Sequence, residues 1–426
     1  MHKFEIHGGY RLKGSISISG AKNAALPILM TSLLSNQCSR YSNVPRLDDV
    51  DTTLVLLRRL GVECTALKNS QVTVNPSSLI NLSAPHDLVK SMRASILVLG
   101  PLLAKYGRAK VALPGGCAIG TRPVDLHIEG MESLGAEISL NDGYLIATAK
   151  KGLVGSHIRL KQVSVGATEN LIMAATLAKG ETKIVNAARE PEIVDLANCL
   201  IAMGALIDGA GTECITIHGV SKLQGANHQI QADRIETGTY LVAAAITRGS
   251  ILVRNTDPSL LTAVLSKLEQ CGAKIKTGDN WISLDMGTKR PLAVDINTEP
   301  YPGFPTDMQA QFTALNAIAI GRSTITENIF ENRFMQIEAL SRMGADIIVE
   351  DNRAICNGVK TLYSAEVMST DLRASASLIL AGLVARGCTL VDQISHTDRG
   401  YENIEGKLSQ LGAKISRIET HKALSA

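Results

Sequence analysis

The 426-residue sequence has few aromatic residues, little net charge and no long hydrophobic run. Aromatic side chains make up 3% of the residues, and 43 basic against 40 acidic side chains leave a formal charge of +3. A nucleic-acid-binding protein needs more stacking surfaces and more positive charge than this. The longest apolar run, 94–104, is broken by Gly100 and Pro101 and is shorter than the roughly 20 residues of a membrane-spanning helix. We therefore expect no nucleic-acid partner and no membrane partner.

Paired cysteines are missing as well. Eight cysteines are scattered at positions 38, 64, 117, 199, 214, 271, 356 and 388, and no two are spaced as C-x-x-C. Seven of them stand in apolar or strand-like surroundings, where a cysteine acts as a small buried hydrophobe. The first residues carry no apolar signal segment. We therefore expect a reduced, cytoplasmic protein, a monomer or weak homo-oligomer, with no metal and no cofactor.

A large apolar residue, a glycine and a small apolar residue recur together six times. The repeated glycines lie 74, 69, 68, 72 and 68 residues apart, at Gly61, Gly135, Gly204, Gly272, Gly344 and Gly412. Each copy reads as a helix that is apolar on all sides, a short β-branched strand, an amphipathic helix that ends at the repeated glycine, and a closing strand pair. Six copies predict an α/β fold with two similar domains of three repeats, in which sheets enclose buried helices.

The domain boundary is expected after the third copy. Residues 22–229 form the first domain. Residues 1–21 and 230–420 form the second, because the strands within 3–19 read as the remainder of the sixth copy. The first domain is then an insertion into the second.

One copy contains extra residues. From the glycine after the buried helix to the repeated glycine there are 28 residues in the second copy, against 24, 23, 23 and 25 in the third to sixth. The surplus falls in Pro114-Gly115-Gly116-Cys117-Ala118-Ile119-Gly120-Thr121-Arg122-Pro123-Val124-Asp125, here called the Cys loop. Its glycines and prolines exclude a helix or central strand. A thiol near the Arg122 guanidinium suggests an anion site with a reactive sulfur; the alternative is a surface turn with an incidental cysteine.

Charged residues stand at the starts of the apolar helices. Lys22, Arg93 and Arg373 are cations in otherwise apolar stretches, and a buried cation needs an anionic partner. Helix amino termini also suit phosphate groups. Asp307 and Asp371 each follow a threonine before such a helix, where an aspartate is either a helix cap or a functional carboxylate.

Six stretches of the sequence resemble the bacterial UDP-N-acetylglucosamine enolpyruvyl transferases of the EPSP synthase superfamily. They are Ser19-Gly20-Ala21-Lys22-Asn23-Ala24, the Cys loop with Leu126-His127, Ser164-Val165-Gly166-Ala167-Thr168, Phe304-Pro305-Thr306-Asp307-Met308-Gln309, Asp371-Leu372-Arg373-Ala374 and Asp398-Arg399-Gly400-Tyr401-Glu402. The resemblance, which runs from about residue 1 to 418, implies a two-domain inside-out α/β barrel of six βαβαββ repeats, with the active site in the cleft between the domains. It also implies transfer of the enolpyruvyl group of phosphoenolpyruvate to the 3′-hydroxyl of UDP-N-acetylglucosamine with release of phosphate, the first committed step of bacterial peptidoglycan synthesis.

The resemblance implies residue roles too. The catalytic residues are expected to be Cys117 as proton donor and target of the epoxide fosfomycin, Asp307 as base, Asp371 in proton handling, and Lys22 and Arg399 on phosphoenolpyruvate. Substrate contacts are expected from Lys22, Arg122 and Arg399 to phosphoenolpyruvate with Arg93 and Arg373 nearby, from Arg122, Pro123, Val124, Asp125 and Leu126 to the uridine, from Ser164, Val165 and Gly166 to the diphosphate, and from Asn23, Asp307 and Ile329 to the amino sugar. Gln162 departs from the lysine that many members carry near the diphosphate, and Lys161 is the alternative contact there.

Two other functions remain open. The shikimate-pathway enolpyruvyl transferase shares the fold and the phosphoenolpyruvate chemistry, but it lacks the Cys loop and has Gly-Ser-Lys-Ser where this chain has Gly20-Ala21-Lys22-Asn23. A non-catalytic scaffold with the same fold is expected to have lost charged site positions, whereas this chain keeps them.

Overall fold

The computed structural model describes residues 2–113 and 124–419. Within them the chain forms two compact units, each with its own hydrophobic core. The discontinuous unit contains residues 2–19 and 232–419, and the inserted unit contains residues 20–113 and 124–231. The boundaries expected from the sequence, after residues 21 and 229, lie two residues from these.

Each unit, over its described residues, contains three four-stranded sheets of one topology. An edge strand runs parallel to the second strand, and the remaining neighbours are antiparallel. With strands numbered in chain order, the sheets of the inserted unit are β14 (Asn227–Gln229), β3 (Ser39–Ser42), β5 (Gln71–Asn75), β4 (Glu63–Cys64); β6 (Ser83–Ala84), β7 (Arg108–Ala112), β9 (Tyr144–Thr148), β8 (Glu137–Asn141); and β10 (His157–Arg159), β11 (Glu181–Val185), β13 (Cys214–His218), β12 (Leu206–Asp208). Those of the discontinuous unit are β2 (Lys13–Ser17), β15 (Ser250–Arg254), β17 (Trp281–Asp285), β16 (Lys274–Gly278); β18 (Ile296–Asn297), β19 (Arg322–Thr326), β21 (Arg353–Asn357), β20 (Asp346–Glu350); and β22 (Glu366–Met368), β23 (Cys388–Asp392), β1 (His2–His7), β24 (Lys414–Glu419).

Six helices in the described ranges are apolar and lie buried inside the units. They are α1 (Lys22–Thr31), α4 (Leu99–Tyr106), α6 (Val165–Ala175), α8 (Arg234–Ile246), α10 (Gln309–Ala317) and α12 (Leu372–Gly382). The three in each unit pack against one another, and in α12 every residue from Arg373 to Gly382 is buried. The sheets bury only one face, since residues alternate between buried and exposed along strands such as β15. The predicted arrangement of helices inside and sheets outside is confirmed.

A second set of helices is amphipathic and covers the units between sheets. It comprises α2 (Asp48–Arg59), α5 (Asp125–Ser133), α7 (Pro191–Ala202), α9 (Thr262–Gln270), α11 (Gln336–Arg342) and α14 (Ile404–Gln410). Short helices complete the chain: α3 (His86–Ser91), α13 (Ser395–Asp398) and 3-10 turns at Ser32–Leu34, Pro76–Ser78, Arg93–Val98, Pro258–Leu261 and Thr306–Met308. Among the described helices, none is long and apolar enough to span a membrane.

The six repeated glycines end the amphipathic helices. All six have positive φ, between 89° and 100°, a conformation that an L-amino acid with a side chain adopts only with strain. The amphipathic helices therefore stop where the sequence repeat predicts.

Two of these glycines allow a stability prediction. A Cβ at Gly204 would meet no atom within 4 Å, whereas one at Gly61 would lie 2.7 Å from the Ser78 carbonyl oxygen and 2.8 Å from the Ile80 amide nitrogen. We expect Gly204→Ala to lower the free energy of unfolding by about 1–2 kcal/mol, from backbone strain alone. Gly61→Ala should cost about 1–3 kcal/mol more, because the backbone must also move. Urea unfolding of both variants measures this, and equal losses would contradict the role given to the clash.

The amino-terminal strands belong to two different sheets. As expected, β1 completes the sixth repeat, where it pairs with β23 and β24. The expectation for the rest of residues 3–19 was wrong, because β2 pairs in parallel with β15 and so belongs to the fourth repeat. The reason is topological: β2 is the edge strand that precedes buried helix α8 in that repeat, and the inserted unit interrupts the connection between them.

The expected burial of seven cysteines was also partly wrong. Cys199, Cys271 and Cys356 are buried, and Cys64 and Cys388 are half-buried, but Cys38 and Cys214 are exposed. In β13 the alternation of the strand turns Ile215 and Ile217 inward and leaves Cys214 on the outer face.

Candidate active site

Residues expected at the site occupy two kinds of position in the repeats. In a βαβ unit with parallel strands, the amino terminus of the helix lies near the carboxyl ends of both strands. Asp307 and Asp371 stand at the starts of buried helices α10 and α12, and Arg399 stands in the loop after β23. The topology of the discontinuous unit thus brings helix starts and strand ends to one end of each repeat.

The carboxylate of Asp307 is held between two arginines. Arg333 Nη2 lies 2.7 Å from Oδ1, and Arg373 Nη2 lies 2.7 Å from Oδ2. Both arginine side chains are 5% exposed, and that of Asp307 is 25% exposed. Asp307 is therefore not the helix cap that the sequence left open, but the shared anion of two buried cations.

These neighbours control the charge of Asp307. Burial by itself would raise its pKa, but the charges of Arg373 and Arg333 and the hydrogen bonds from both hold the pKa well below its usual value. Burial likewise opposes the charge on Arg373, and the attraction of Asp307 outweighs it and raises the pKa of the guanidinium. Because the pKa of Asp307 is lower in the folded chain, its stabilisation is present above the unfolded pKa of about 3.9 and is lost as pH falls through the folded pKa.

The charge of Arg333 can be tested through the pH dependence of activity. We expect Arg333→Gln to move the acidic limb of the kcat/KM profile to higher pH, because losing one guanidinium raises the pKa of Asp307 towards its usual value. Arg333→Lys retains the positive charge and is the matched control, for which the limb should stay near that of the parent. Profiles that coincide for all three proteins would show that Asp307 does not control the limb.

Tyr401 links the arginine pair to the segment that contains Arg399. Its hydroxyl lies 3.2 Å from Arg373 Nη1, 3.0 Å from Thr239 Oγ1 and 3.2 Å from Gln311 Nε2. All four side chains are buried. The position of Arg399, two residues before Tyr401, is thus tied to the same hydrogen-bonded network as Asp307.

A buried glutamate shapes the loop in which Ile329 lies. Glu327 Oε1 accepts hydrogen bonds from the Ile329 amide at 2.9 Å and from Thr298 Oγ1 at 2.9 Å, while Oε2 accepts from Thr306 Oγ1 at 2.8 Å. Thr306 also accepts from Arg333 Nη1 at 3.1 Å. Ile329 and Asp307 are therefore positioned by one set of contacts.

Asp371 does cap a helix. Its Oδ1 accepts from the backbone amides of Arg373, at 2.8 Å, and Ala374, at 3.0 Å, which satisfies the first turn of α12. Its charge also reaches His396: burial lowers the pKa of that imidazole, the charge of Arg399 lowers it further, and the charge of Asp371 opposes both. Asp371 and Arg399 thus lie within electrostatic reach of one ring.

In the inserted unit, Lys22 is the first residue of α1 and is already paired. Its Nζ lies 3.2 Å from Asp49 Oδ2, with the two side chains 12% and 6% exposed. Asn23 follows it in the helix and is half-buried. An anion that binds Lys22 therefore approaches an ammonium whose charge Asp49 already balances in part.

Ser164, Val165 and Gly166 form the amino terminus of α6. Ser164 caps the helix, because its Oγ accepts from the Ala167 amide at 3.3 Å. The His127 ring lies beside Gly166, where a Cβ would be 3.6 Å from Nε2. Asn170 accepts from Gly100 N and donates to Ile96 O, so its amide also donates to His127 Nδ1, at 3.0 Å. In a neutral ring the proton then lies on Nε2.

The remaining expected residues lie near the start of α5 or outside the described residues. Val124 precedes α5, Asp125 begins it and is exposed, and Leu126 is buried. Lys161, the alternative to Gln162, forms an exposed ion pair with Glu129, 2.5 Å from Nζ to Oε1. Cys117, Arg122 and Pro123 lie outside the described residues; Arg93 begins the 3-10 turn Arg93–Val98.

Sequence reasoning did not single out several residues of this network. They are Thr239, Gln311, Glu327 and Arg333 in the discontinuous unit and Asp49 and Asn170 in the inserted unit. For Glu327 and Arg333 a signal exists: the loop after β19 has the place in the fifth repeat that the Cys loop has in the second, between the strand and the amphipathic helix. The other four are polar residues inside helices, where single-sequence patterns do not reveal a partner in another element.

The chain is similar to known proteins over nearly its whole length. The model of the EPSP synthase (3-phosphoshikimate 1-carboxyvinyltransferase) family matches residues 6–408. A UDP-N-acetylglucosamine 1-carboxyvinyltransferase from Shewanella woodyi is 59% identical over 418 residues, which cover 98% of this chain and 100% of that protein. The protein of the same name from Shewanella pealeana is 58% identical over 420 residues, covering 99% and 100%.

Solved structures share the fold. The enolpyruvyl transferase NikO from Streptomyces tendae has a TM-score of 0.88 at 24% identity, with 98% of each chain covered. EPSP synthase from Acinetobacter baumannii has a TM-score of 0.77 at 20% identity, with 98% of this chain and 100% of that chain covered. At these identities the likeness establishes the architecture of two three-repeat units.

Proposed function

The chain belongs to the EPSP synthase family, and on that basis we propose that it transfers the enolpyruvyl group of phosphoenolpyruvate to the 3′-hydroxyl of UDP-N-acetylglucosamine, releasing phosphate. The observation that carries this function is the 59% identity, over the full length, to the Shewanella woodyi protein of that name. The reaction is the first committed step of peptidoglycan synthesis. As part of the proposal, the protein acts in the bacterial cytoplasm as a monomer or weak homo-oligomer.

Phosphoenolpyruvate carries a phosphate and a carboxylate, so its binding requires several cations. We assign Lys22, Arg122 and Arg399 to it, with Arg93 and Arg373 nearby. The ion pairs Lys22–Asp49 and Arg373–Asp307 support this assignment, because they hold two of the cations at helix starts. Residues of both units then contribute to one reaction.

We assign the nucleotide sugar to residues at or before helix starts and to one loop. Arg122, Pro123, Val124, Asp125 and Leu126 contact the uridine, Ser164, Val165 and Gly166 the diphosphate, and Asn23, Asp307 and Ile329 the amino sugar. The open amides of the first turn of α6 support the diphosphate assignment, since helix amino termini bind phosphate groups.

In the addition step, the 3′-hydroxyl forms a bond to C2 of phosphoenolpyruvate, Asp307 accepts the hydroxyl proton, and Cys117 donates a proton to C3. In the elimination step, C3 loses a proton and the bond between C2 and the phosphate oxygen breaks, which restores the double bond. A carboxylate has about four acceptor positions, so Asp307 can accept from the substrate while both arginines remain bound. Asp371 handles a proton of the intermediate.

Phosphate release tests the proposal. The protein is incubated with phosphoenolpyruvate and either UDP-N-acetylglucosamine or shikimate 3-phosphate, with phosphoenolpyruvate alone as the blank. We expect phosphate only with the nucleotide sugar. Release only with shikimate 3-phosphate would assign the chain to the other branch of the family, and release with neither would indicate a scaffold.

A further inference from the structure

Three potential metal ligands face the same way on two paired strands of the discontinuous unit. Glu5 and His7 lie two residues apart on β1, and Cys388 is the Cα partner of His7 on β23. Alternation turns Phe4 and Ile6 into the core, so Glu5 and His7 share the outer face of the sheet. Their ligand atoms, with the Cys388 sulfur, lie within 4.8 Å of one another, and no other such trio occurs in the described part of the chain.

The separations match a tetrahedral ion. With bond lengths of about 2.1 Å to nitrogen and oxygen and about 2.3 Å to sulfur, tetrahedral angles place nitrogen and oxygen about 3.4 Å apart and sulfur and oxygen about 3.6 Å apart. In the structure, His7 Nε2 lies 3.4 Å from Glu5 Oε1, and Cys388 Sγ lies 3.5 Å from the same oxygen. The side chains of His7 and Glu5 are 52% and 35% exposed, which leaves a path for an ion and a position for water.

The charges suit a divalent ion of the zinc class. A thiolate, a carboxylate and a neutral imidazole neutralise a charge of +2, and mixed sulfur, nitrogen and oxygen ligands favour zinc over magnesium or calcium. The two lysines on this face are engaged elsewhere: Lys3 pairs with Glu366 and Asp392, and Lys414 Nζ lies 4.7 Å from the ring centroid of Tyr10.

We propose that Glu5, His7 and Cys388 form a surface site for a divalent metal ion of the zinc class, with water as the fourth ligand. The ion joins β1 to β23 and so fastens the amino-terminal strand to the sixth repeat. The site is separate from the residues assigned to enolpyruvyl transfer, and neither proposal depends on the other.

Cobalt substitution tests the site, because tetrahedral Co²⁺ bound to a thiolate absorbs in the near ultraviolet. The untagged full-length protein is titrated with Co²⁺ and then with Zn²⁺. We expect one equivalent of Co²⁺ to produce a thiolate charge-transfer band, which one equivalent of Zn²⁺ abolishes. Cys388→Ser should remove the band, and His7→Gln and Glu5→Gln should each weaken Co²⁺ binding by about tenfold or more.

Three comparisons make the result decisive. Cys214→Ser removes an exposed cysteine of the inserted unit and should leave the band unchanged, as should Cys117→Ser. If Cys388→Ser does not fold, the two ligand variants on β1 decide the question, since each leaves the cysteine in place. Absence of the band at millimolar Co²⁺, its persistence in Cys388→Ser, or unchanged affinity in both His7→Gln and Glu5→Gln would overturn the proposal.

Discussion

Asp307→Asn is expected to lower kcat by about two to four decades while UDP-N-acetylglucosamine still binds. The amide that replaces the carboxylate keeps the shape of the side chain but cannot take the proton of the attacking hydroxyl. The structure adds a second effect. Arg333 and Arg373 lose their shared counter-charge while remaining buried, so the free energy of unfolding should fall by about 3 kcal/mol or more. Steady-state kinetics, calorimetric titration with the nucleotide sugar and urea unfolding separate these effects.

A buried carboxylate without an assigned role provides the control for Asp307. Asp195 is 8% exposed and contacts His228 Nε2 at 2.9 Å and the Gln231 amide at 3.0 Å. Asp195→Asn should therefore lose stability and keep kcat. If Asp307→Asn retains kcat within about tenfold of the parent, the loss is smaller than general-base catalysis typically contributes, and Asp307 is not the base.

Replacing Cys117 should separate its acidity from its nucleophilicity. We expect Cys117→Ser to lower kcat by about 100-fold or more, because a hydroxyl is a much weaker acid than a thiol. Cys117→Asp should remain active, since a carboxylic acid can also donate a proton, and should resist fosfomycin because it reacts poorly with the epoxide. Turnover of both variants with and without fosfomycin is the measurement.

The other cysteines provide internal controls for the labelling of Cys117. Burial raises the pKa of Cys64 to about 11 and those of Cys199, Cys271 and Cys356 to about 12, which keeps them as unreactive thiols. Cys38 and Cys214 are exposed and test whether access alone suffices. Peptide mapping after fosfomycin treatment should find one label, on Cys117. Labelling of Cys38 or Cys214 instead would remove Cys117 from the proposed mechanism.

Much of the fold could be read from the sequence because each repeat states it separately. Helices that are apolar on all sides can only be buried, and six glycines at nearly equal spacing mark where the covering helices end. The membership of β2 could not be read in this way. A strand's pairing partner depends on contacts between distant segments, and the inserted unit separates β2 from the helix α8 that follows it in its own repeat.

The site was less predictable than the fold. A Thr-Asp pair before a helix looks the same at 306–307 and at 370–371, yet Asp371 caps its helix whereas Asp307 pairs with two arginines. The difference arises from Arg333, which lies in a loop 26 residues further on. Local sequence determines where a carboxylate stands, but its charge and partners depend on what the fold brings beside it.

The central position of β1 in its sheet has a consequence for synthesis on the ribosome. This strand is the first to emerge, yet its neighbours are the last, β23 at Cys388–Asp392 and β24 at Lys414–Glu419. The inserted unit is complete once β14 has been made, whereas β1 stays unpaired while about 380 further residues are added, roughly 20–80 s at 5–20 residues per second. During that interval the nascent chain exposes an apolar strand at its amino terminus, and the discontinuous unit can close only after translation of the final strand.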